Sequence, residues 1–182
     1  MVESAARSVP RVAARAWLKA MPPALRLIFQ GESAARSAAA AAWGVAFSDE
    51  ACRAVVGDGR ATLWLGPDEF LLLAGDSASA NAAESLQQAL AMTAHSLVDV
   101  SHRQFAIEVS GPHAETILSG ACPLDLNVAE FPVGMCTRTV LAKADIVLWR
   151  TGPDAFHLEV WRSFSGYVTG LLSEIALEFY GE

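Results

Sequence analysis

Two segments of the chain share one pattern, and this repetition constrains the fold more than any other feature. The stretch 64–73 reads Trp-Leu-Gly-Pro-Asp-Glu-Phe-Leu-Leu-Leu, and the stretch 149–158 reads Trp-Arg-Thr-Gly-Pro-Asp-Ala-Phe-His-Leu. In each, an apolar run that carries a tryptophan meets Gly-Pro-Asp, and a second apolar run follows. Because proline fixes φ and aspartate bonds to nearby backbone, Gly-Pro-Asp favours a turn. Both copies are therefore predicted to be β-hairpins.

Strand and helix patterns surround both hairpins in the same order. The first half has a strand at Leu25–Phe29, a helix at Glu32–Ala42, an extended piece beginning at Trp43–Phe47, and a helix with Ala82, Leu86, Ala89, Leu90 and Thr93 at helical spacing. The second half has a strand at Phe105–Val109, a helix from Gly111-Pro112 to Gly120, and a helix with N-cap Ser165 and apolar positions Val168, Leu171, Leu172, Ile175 and Phe179. These patterns predict an α+β fold of two similar βαββα halves, with mixed or antiparallel sheets.

The two halves are expected to form one compact domain behind a basic arm. We assign the arm to residues 1–22, the first half to 23–97 and the second half to 98–182. Four basic residues recur at every fourth position from Arg7 to Lys19, against one acid, Glu3. This pattern loosely resembles a mitochondrial transit peptide, but Pro10 interrupts a helix there. A flexible arm that lies on an acidic partner surface is the favoured interpretation.

Charge and hydropathy exclude some partners. The net charge is −7 and the body after the arm is acidic, so the phosphate neutralisation on which nucleic-acid binding depends is lacking. Hydrophobic residues make up 53% of the chain, which is typical of a folded protein. The apolar excess is either buried against partner proteins or an effect of the many alanines. The apolar run Ala38–Phe47 is too short to span a bilayer.

Neither the cysteines nor the polar motifs make a self-sufficient site. Three widely spaced cysteines form no C-x-x-C pair, which fits a reducing cytoplasm, and no two histidines have the spacing of metal ligands on a helix. Ser163 lacks the leading glycine of a nucleophile elbow, because Trp161 occupies that position. The run Gly57–Arg60 is no dinucleotide loop and predicts a hairpin turn. We expect no catalytic, cofactor-binding or metal-binding residue in this chain.

Cationic and aromatic residues of the second half are the remaining candidates for a functional surface. Tryptophan and arginine most often anchor contacts between proteins, and Arg150 and Arg162 each follow a tryptophan. The alternative is a solvated sheet face with its tryptophans in the core. We expect a subunit interface, and its candidate residues are His102, Arg103, Arg138, Lys143, Arg150, Trp161 and Arg162.

The same region resembles a known family. The runs that carry the resemblance are Asp99–Arg103, Val109–Pro112, Cys122–Leu126, Phe131–Thr139, Trp149–Gly152 and Phe156–Phe164. They resemble the gamma subunit of heterotetrameric sarcosine oxidase over most of 98–179, and the first half is similar more loosely. More distantly, the order of these motifs is similar to the folate-binding aminomethyltransferase domain, which agrees with the duplicated fold.

The resemblance implies a small non-catalytic subunit with alpha, beta and delta partners. Together they would form a flavoenzyme complex that demethylates sarcosine to glycine, with hydrogen peroxide and either formaldehyde or methylene-tetrahydrofolate as further products. It implies no cofactor in this chain, and FAD, FMN, NAD, zinc and tetrahydrofolate in the partner subunits. The alternatives are the equivalent subunit of an N-methylglutamate dehydrogenase-type complex, a free-standing folate-binding aminomethyltransferase-like domain, and a mitochondrial accessory protein.

Overall fold

The computed structural model describes residues 18–75, 78 and 80–179, so most of the predicted basic arm lies outside the described residues. The strands are β1 (Leu18–Ala20), β2 (Leu25–Gln30), β3 (Ala54–Gly57), β4 (Arg60–Gly66), β5 (Glu69–Ala74), β6 (Ser96–Asp99), β7 (Gln104–Ser110), β8 (Cys136–Leu141), β9 (Ala144–Gly152) and β10 (Ala155–Trp161). The helices are α1 (Ser33–Trp43), α2 (Ala82–Leu90), α3 (Ala114–Ser119) and α4 (Ser165–Ala176), with 3-10 turns at Arg162–Phe164 and Leu177–Phe179. Among the described residues, no helix has the length and apolar character needed to cross a membrane.

The strands form two five-stranded sheets, and each pair of neighbours within the described chain is antiparallel. The first sheet has the order β3-β4-β5-β2-β6, and the second has the order β1-β7-β10-β9-β8. Both predicted hairpins are confirmed, since β4 pairs with β5 and β9 pairs with β10 across their Gly-Pro-Asp turns. The predicted α+β class is confirmed with them.

Each sheet contains two strands more than the three that the βαββα pattern predicts. They are β3 and β6 in the first sheet and β1 and β8 in the second. Both β3 and β8 form a tight hairpin with the strand that follows. Asp58 and Gly59 turn the first of these hairpins with φ of 50° and 73°, and Ala142 turns the second with φ of 51°. Left-handed φ at the central residues matches the twist of the flanking strands. The hairpin turn predicted at Gly57–Arg60 is thereby confirmed.

Three local boundaries differ from the prediction. The prediction that an extended piece begins at Trp43–Phe47 is wrong. The alanine-rich helix α1 continues to Trp43 and ends where Gly44 adopts φ of 76°. The helix predicted to open at Gly111-Pro112 does not begin there, since a turn precedes α3 and the helix starts at Ala114. Ser165 is the first residue of α4 rather than its N-cap, because the chain is already coiled in the 3-10 turn before it.

Alternation along the strands sets the two sheets face to face with helices outside. In β5, Phe70 and Leu72 pack with residues of α1 and α2, whereas Leu71 and Leu73 pack with Val147 of the second sheet. The second sheet packs its other face on α3 and α4 in the same way. Because side chains of a strand alternate between its faces, each sheet contributes to two cores. The layers are therefore helix, sheet, sheet, helix.

Edge strands complete both sheets in the equivalent position, but they come from different parts of the chain. In the first sheet, β6 pairs with β2 and is the last strand of that sheet along the chain. In the second sheet, the same position beside β7 is taken by β1, with Leu18 opposite Val109. The described end of the predicted arm is thus part of the second sheet. A bridge between Arg53 and Met135 also connects the two sheets.

Candidate subunit interface

Four of the seven predicted interface residues come together where β10 ends and β7 begins. Trp161 lies opposite Gln104 in the strand register. The backbone N–H of Arg162 donates to the carbonyl oxygen of Arg103 at 2.7 Å, and its Nε donates to the carbonyl oxygen of His102 at 2.9 Å. The Arg103 guanidinium lies 5.3 Å from the centroid of the Trp161 ring. Pairing of β7 with β10 therefore brings together residues that are 60 positions apart.

Two aromatic residues that the sequence analysis missed extend this surface. Phe164 and Tyr167 follow Trp161, with their rings edge to face at 6.4 Å. Phe164 is 38% exposed, Tyr167 is 41% exposed and Trp161 is 46% exposed. Because α4 buries Val168 and Leu172 against the second sheet, Tyr167 falls outside the buried stripe, and this offset was the available sequence signal. We call the surface formed by His102, Arg103, Trp161, Arg162, Phe164 and Tyr167 the β10 corner.

Arg138 and Lys143 lie towards the same end of the second sheet, on strand β8 and in the turn after it. Lys143 is exposed. Arg138 reaches across to the first sheet and pairs through both terminal nitrogens with Glu69, with Nη1 donating to Oε2 at 2.8 Å. These hydrogen bonds lower the pKa of Glu69 and raise the pKa of Arg138. Because half of the Arg138 side chain is exposed, solvent screening limits the pair to about 1 kcal/mol at most.

Arg150 is buried, and the structure corrects its prediction as an interface residue. It is 2% exposed, and its Nη1 donates to the carbonyl oxygens of Leu126 at 2.8 Å and Phe131 at 3.1 Å. Its Nε donates to the carbonyl oxygen of Pro153 at 3.2 Å, and its guanidinium lies 4.8 Å from the centroid of the Phe156 ring. The charge of Arg150 therefore serves to hold the loop after α3 against the hairpin of β9 and β10.

A buried ion pair that no sequence pattern predicted lies between the two sheets. Arg26 of β2 and Glu159 of β10 are 3% and 1% exposed, and Arg26 Nε lies 2.9 and 2.7 Å from the two carboxylate oxygens. His157 Nε2 lies 2.9 Å from Glu159 Oε1. Ser101 Oγ accepts the backbone N–H of Arg26 at 2.9 Å. Removal of one member of such a pair leaves an uncompensated buried charge, at a cost of about 3–5 kcal/mol. This network joins the two halves.

A cleft of about 250 Å³ opens between the sheets beside the β10 corner. Its residues come from both sheets. The apolar ones are Ile28, Leu65, Leu71, Ile146, Val147 and Trp161, and the polar ones include Arg103, Arg138, Thr139, Asp145 and Glu159. Gln104 also lines the cleft and is 8% exposed, and its buried Oε1 has no hydrogen-bond partner among the described residues. A buried acceptor left in this state costs about 1–3 kcal/mol. Apolar and polar side chains thus share the lining of the cleft.

Burial lowers the reactivity of one of the cysteine thiols, Cys136. Burial raises the pKa of the Cys136 thiol to about 12, so this thiol stays protonated near neutral pH. Cys52 and Cys122 are also free. Within residues 18–75, 78 and 80–179, no three His, Cys, Asp or Glu side chains come together to hold a metal ion. The Gly57–Arg60 turn joins two paired strands, unlike a phosphate loop, which opens onto a helix.

The two stacked sheets with helices outside define the chain as an α+β protein of the aminomethyltransferase fold. Aminomethyltransferase T of the glycine cleavage system from Bartonella henselae superposes with a TM-score of 0.66, over 85% of this chain and 44% of that chain. Its sequence identity is 12%, so this likeness shows the fold alone. The chain belongs to the sarcosine oxidase gamma subunit family, whose sequence profile matches residues 30–178.

Individual relatives agree with this assignment. Sarcosine oxidase subunit gamma from Corynebacterium sp. (strain U-96) is 36% identical over 149 residues, which are 81% of this chain and 71% of that protein. The protein of the same name from Corynebacterium sp. (strain P-1) is 36% identical over 69% of this chain. The matched region spans only 61% of that relative. A chain of heterotetrameric sarcosine oxidase from Corynebacterium sp. U-96 superposes with a TM-score of 0.85 at 32% identity, over 91% of this chain and 85% of that chain. The family resemblance predicted from the sequence is confirmed.

Proposed function

We propose that this chain is the small structural gamma subunit of a heterotetrameric sarcosine oxidase, with alpha, beta and delta subunits as its partners. The complex oxidises sarcosine to glycine and releases hydrogen peroxide with formaldehyde or methylene-tetrahydrofolate. The observation that carries this proposal is the superposition of 91% of this chain on one chain of a solved heterotetrameric sarcosine oxidase. The chain is thus a part of an oxidoreductase, and the chemistry takes place in its partners.

A structural role agrees with how the chain uses its charged and reactive side chains. Arg26, Glu159 and Arg150 are buried and hold elements of the fold together. The Cys136 thiol is protonated at neutral pH, because burial raises its pKa to about 12. The charged residues that remain at the β10 corner are exposed and suited to binding. We therefore assign no catalytic residue to this chain.

We assign FAD, FMN, NAD, zinc and tetrahydrofolate to the partner subunits and the complex to the cytoplasm. The described residues of this chain do not fit a zinc ion, since no three ligating side chains lie together there. They do not fit a dinucleotide at Gly57–Arg60 either, because that turn is a closed hairpin. The three free cysteines agree with a reducing compartment.

We propose further that one end of the second sheet contacts a partner subunit. Six predicted interface residues remain after the correction of Arg150, and they are His102, Arg103, Arg138, Lys143, Trp161 and Arg162. As predicted from the sequence, we take 23–97 and 98–182 as the two halves of one compact domain, and of the predicted arm at 1–22 the described residues Leu18–Ala20 belong to the second sheet. The buried pair of Arg26 and Glu159, which joins the halves, supports the single domain.

Co-expression of the full chain with the alpha, beta and delta subunits tests this function. We expect one complex that contains all four chains, observed by size-exclusion chromatography with light scattering, and oxygen consumption that depends on sarcosine. Without this chain, we expect the other three subunits to assemble incompletely and to lose activity faster on warming. If this chain elutes as a separate stable monomer while the others form a fully active enzyme, the proposal is wrong.

The same purified complex also tests the substrate. Sarcosine and N-methylglutamate are compared as substrates by their kcat/KM values, with the uptake of oxygen as the measurement. We expect the higher value for sarcosine. A clear preference for N-methylglutamate would assign the chain to the other type of complex while leaving its structural role intact.

A further inference from the structure

We propose that the cleft at the β10 corner receives an acidic segment of a partner subunit. One apolar side chain of that segment fills the cleft, and its carboxylates lie against Arg103 and Arg162. This inference rests on the proposed function and adds to it the location and the chemistry of the contact. The occupant is a polypeptide segment, for the reasons of size, polarity and charge that follow.

The size and walls of the cleft favour a side chain over a free ligand. Its volume of about 250 Å³ falls below the roughly 300–1,000 Å³ typical of sites for small molecules. Ile28, Leu71 and Val147, which pack together where the two sheets meet, form part of the apolar lining, and the half-exposed Trp161 lines the cleft with them. A half-exposed tryptophan beside a partly apolar cleft is a common composition of an anchor site at a protein interface.

Gln104 lines the cleft and carries a side-chain acceptor that no described residue satisfies. Its Oε1 is buried, although Gln104 lies in the well-paired strand β7. Buried acceptors are nearly always hydrogen-bonded in native proteins. In the proposed complex, the Gln104 side chain turns toward the cleft that it lines, and a backbone or side-chain N–H of the occupant donates to Oε1.

The charges at the corner indicate that the occupant is acidic. Arg103 and Arg162 have no carboxylate partner among the described residues. The arginines that do pair with a carboxylate are Arg26, Arg36, Arg53, Arg138 and Arg150. The nearby acid Asp99 accepts the backbone N–H of Ser101 at 2.8 Å. Asp145 and Glu159 line the cleft, and Glu159 is already paired with Arg26. Carboxylates of the partner are therefore expected on the side of Arg103 and Arg162.

The same charges disfavour two other occupants. In a symmetric dimer formed through this corner, a second copy of this chain would bring its own Arg103 and Arg162 against the first pair, and like charges across an interface oppose association. The arm before Leu18 carries Arg7, Arg11 and Arg15 against a single acid. These charges would also repel the corner, and we therefore assign the acidic segment to another subunit.

Two substitutions at the corner test the contact in the assembled complex. The full chain, as wild type or variant, is titrated onto the purified assembly of alpha, beta and delta subunits, and the Kd is measured by biolayer interferometry. We expect Trp161→Ala to raise the Kd by at least about 30-fold, since a central tryptophan is a typical binding hot spot. We expect Arg103→Glu to raise it by at least about 10-fold, with a smaller effect at high salt.

Matched controls use residues of the same character away from the corner. Met92→Ala removes a large side chain that is 95% exposed, and Arg36→Glu reverses a charge on α1. Both are expected to leave the Kd within about twofold of wild type. Circular dichroism of each free variant checks its fold. If Trp161→Ala and Arg103→Glu, properly folded, also bind within twofold, the inference is overturned, whereas failure of the wild-type chain to bind overturns the proposed function itself.

Gln104→Leu separates a contact in the cleft from a purely structural role. The substitution removes an unsatisfied acceptor from the free chain, so the thermal midpoint of the free chain is expected to stay level or rise. It also removes the acceptor that the occupant needs, so the Kd is expected to rise by about 5–10-fold. An unchanged or lower Kd would show that nothing donates to Gln104 in the complex and would overturn the inference.

Discussion

Two Trp-Arg pairs in the second half look alike in sequence and have opposite roles in the structure. In the pair Trp149-Arg150, the arginine is 2% exposed and donates to carbonyl oxygens of its own chain. In the pair Trp161-Arg162, the tryptophan is 46% exposed and the arginine lies at the surface. One pair holds the fold together, and the other lies at the surface, where we propose that a partner binds.

The difference arises from position within the sheet. Trp149 and Arg150 lie inside β9, which has a strand on each side and is covered on both faces. Trp161 is the last residue of β10, and the chain leaves the sheet there in a 3-10 turn. A side chain within a central strand must be satisfied inside the protein, whereas one at a strand end can remain exposed. A dipeptide therefore does not define an interface without its place in the strand.

The largest expected effect concerns Arg150. Arg150→Ala leaves the carbonyl oxygens of Leu126, Phe131 and Pro153 without their donors in a buried region, and we expect a loss of about 3–5 kcal/mol in unfolding free energy. Urea denaturation followed by circular dichroism measures it. The control is Arg162→Ala, which should change the free chain by no more than about 0.5 kcal/mol. Equal losses in the two variants would contradict the comparison.

A smaller effect is expected when the exposed tryptophan is truncated. Trp161→Ala removes a ring that is nearly half exposed and that stacks with the Arg103 guanidinium. We expect the free chain to lose only about 0.5–1 kcal/mol, because this contact is solvated. The same urea titration measures the loss. A loss above about 3 kcal/mol would show that Trp161 belongs to the core and would remove it from the interface.

The smallest expected effect concerns the surface pair of Glu69 and Arg138. The hydrogen bonds from Arg138 lower the pKa of Glu69 in the folded chain. The pair therefore contributes fully to the unfolding free energy at pH values above the ordinary pKa of 4.5. This contribution is lost as the pH falls below 4.5 and through the lowered pKa. Glu69→Gln should therefore cost at most about 1 kcal/mol at pH 7 and nothing in strong acid. Urea titrations at several pH values measure this difference. A cost that persists unchanged at low pH would contradict the assignment.

Local chemistry made much of the fold predictable. Gly-Pro-Asp turns located both central hairpins, and the spacing of Val168 and Leu172 located the buried face of α4. The additional strands were not predicted, because β8 is partly exposed and alternates without a strong apolar pattern. The family was predictable from its motifs, since these runs are long and specific.

Which of the candidate interface residues are exposed was predictable only in part, because exposure depends on contacts between distant parts of the chain. Arg26 and Glu159 are 133 positions apart, and nothing close to either residue in sequence identifies its partner. One available signal was a charge between apolar neighbours, as at Arg26 within Leu-Arg-Leu. In a strand that is covered on both faces, such a charge must be paired inside the protein. The same reasoning, applied to Arg150 within β9, would have moved it from the interface to the interior.

The position of β1 has a consequence for how the chain is made. Synthesis proceeds from the amino terminus, so Leu18 leaves the ribosome long before Val109, with which it pairs. Until then the first segment has no partner strand, while the first sheet can already form from residues 25–99. The second sheet is thus completed by β1, which is synthesised before every other described strand. A truncation that removes Leu18–Ala20 would leave the edge of β7 open and prone to pairing with other chains.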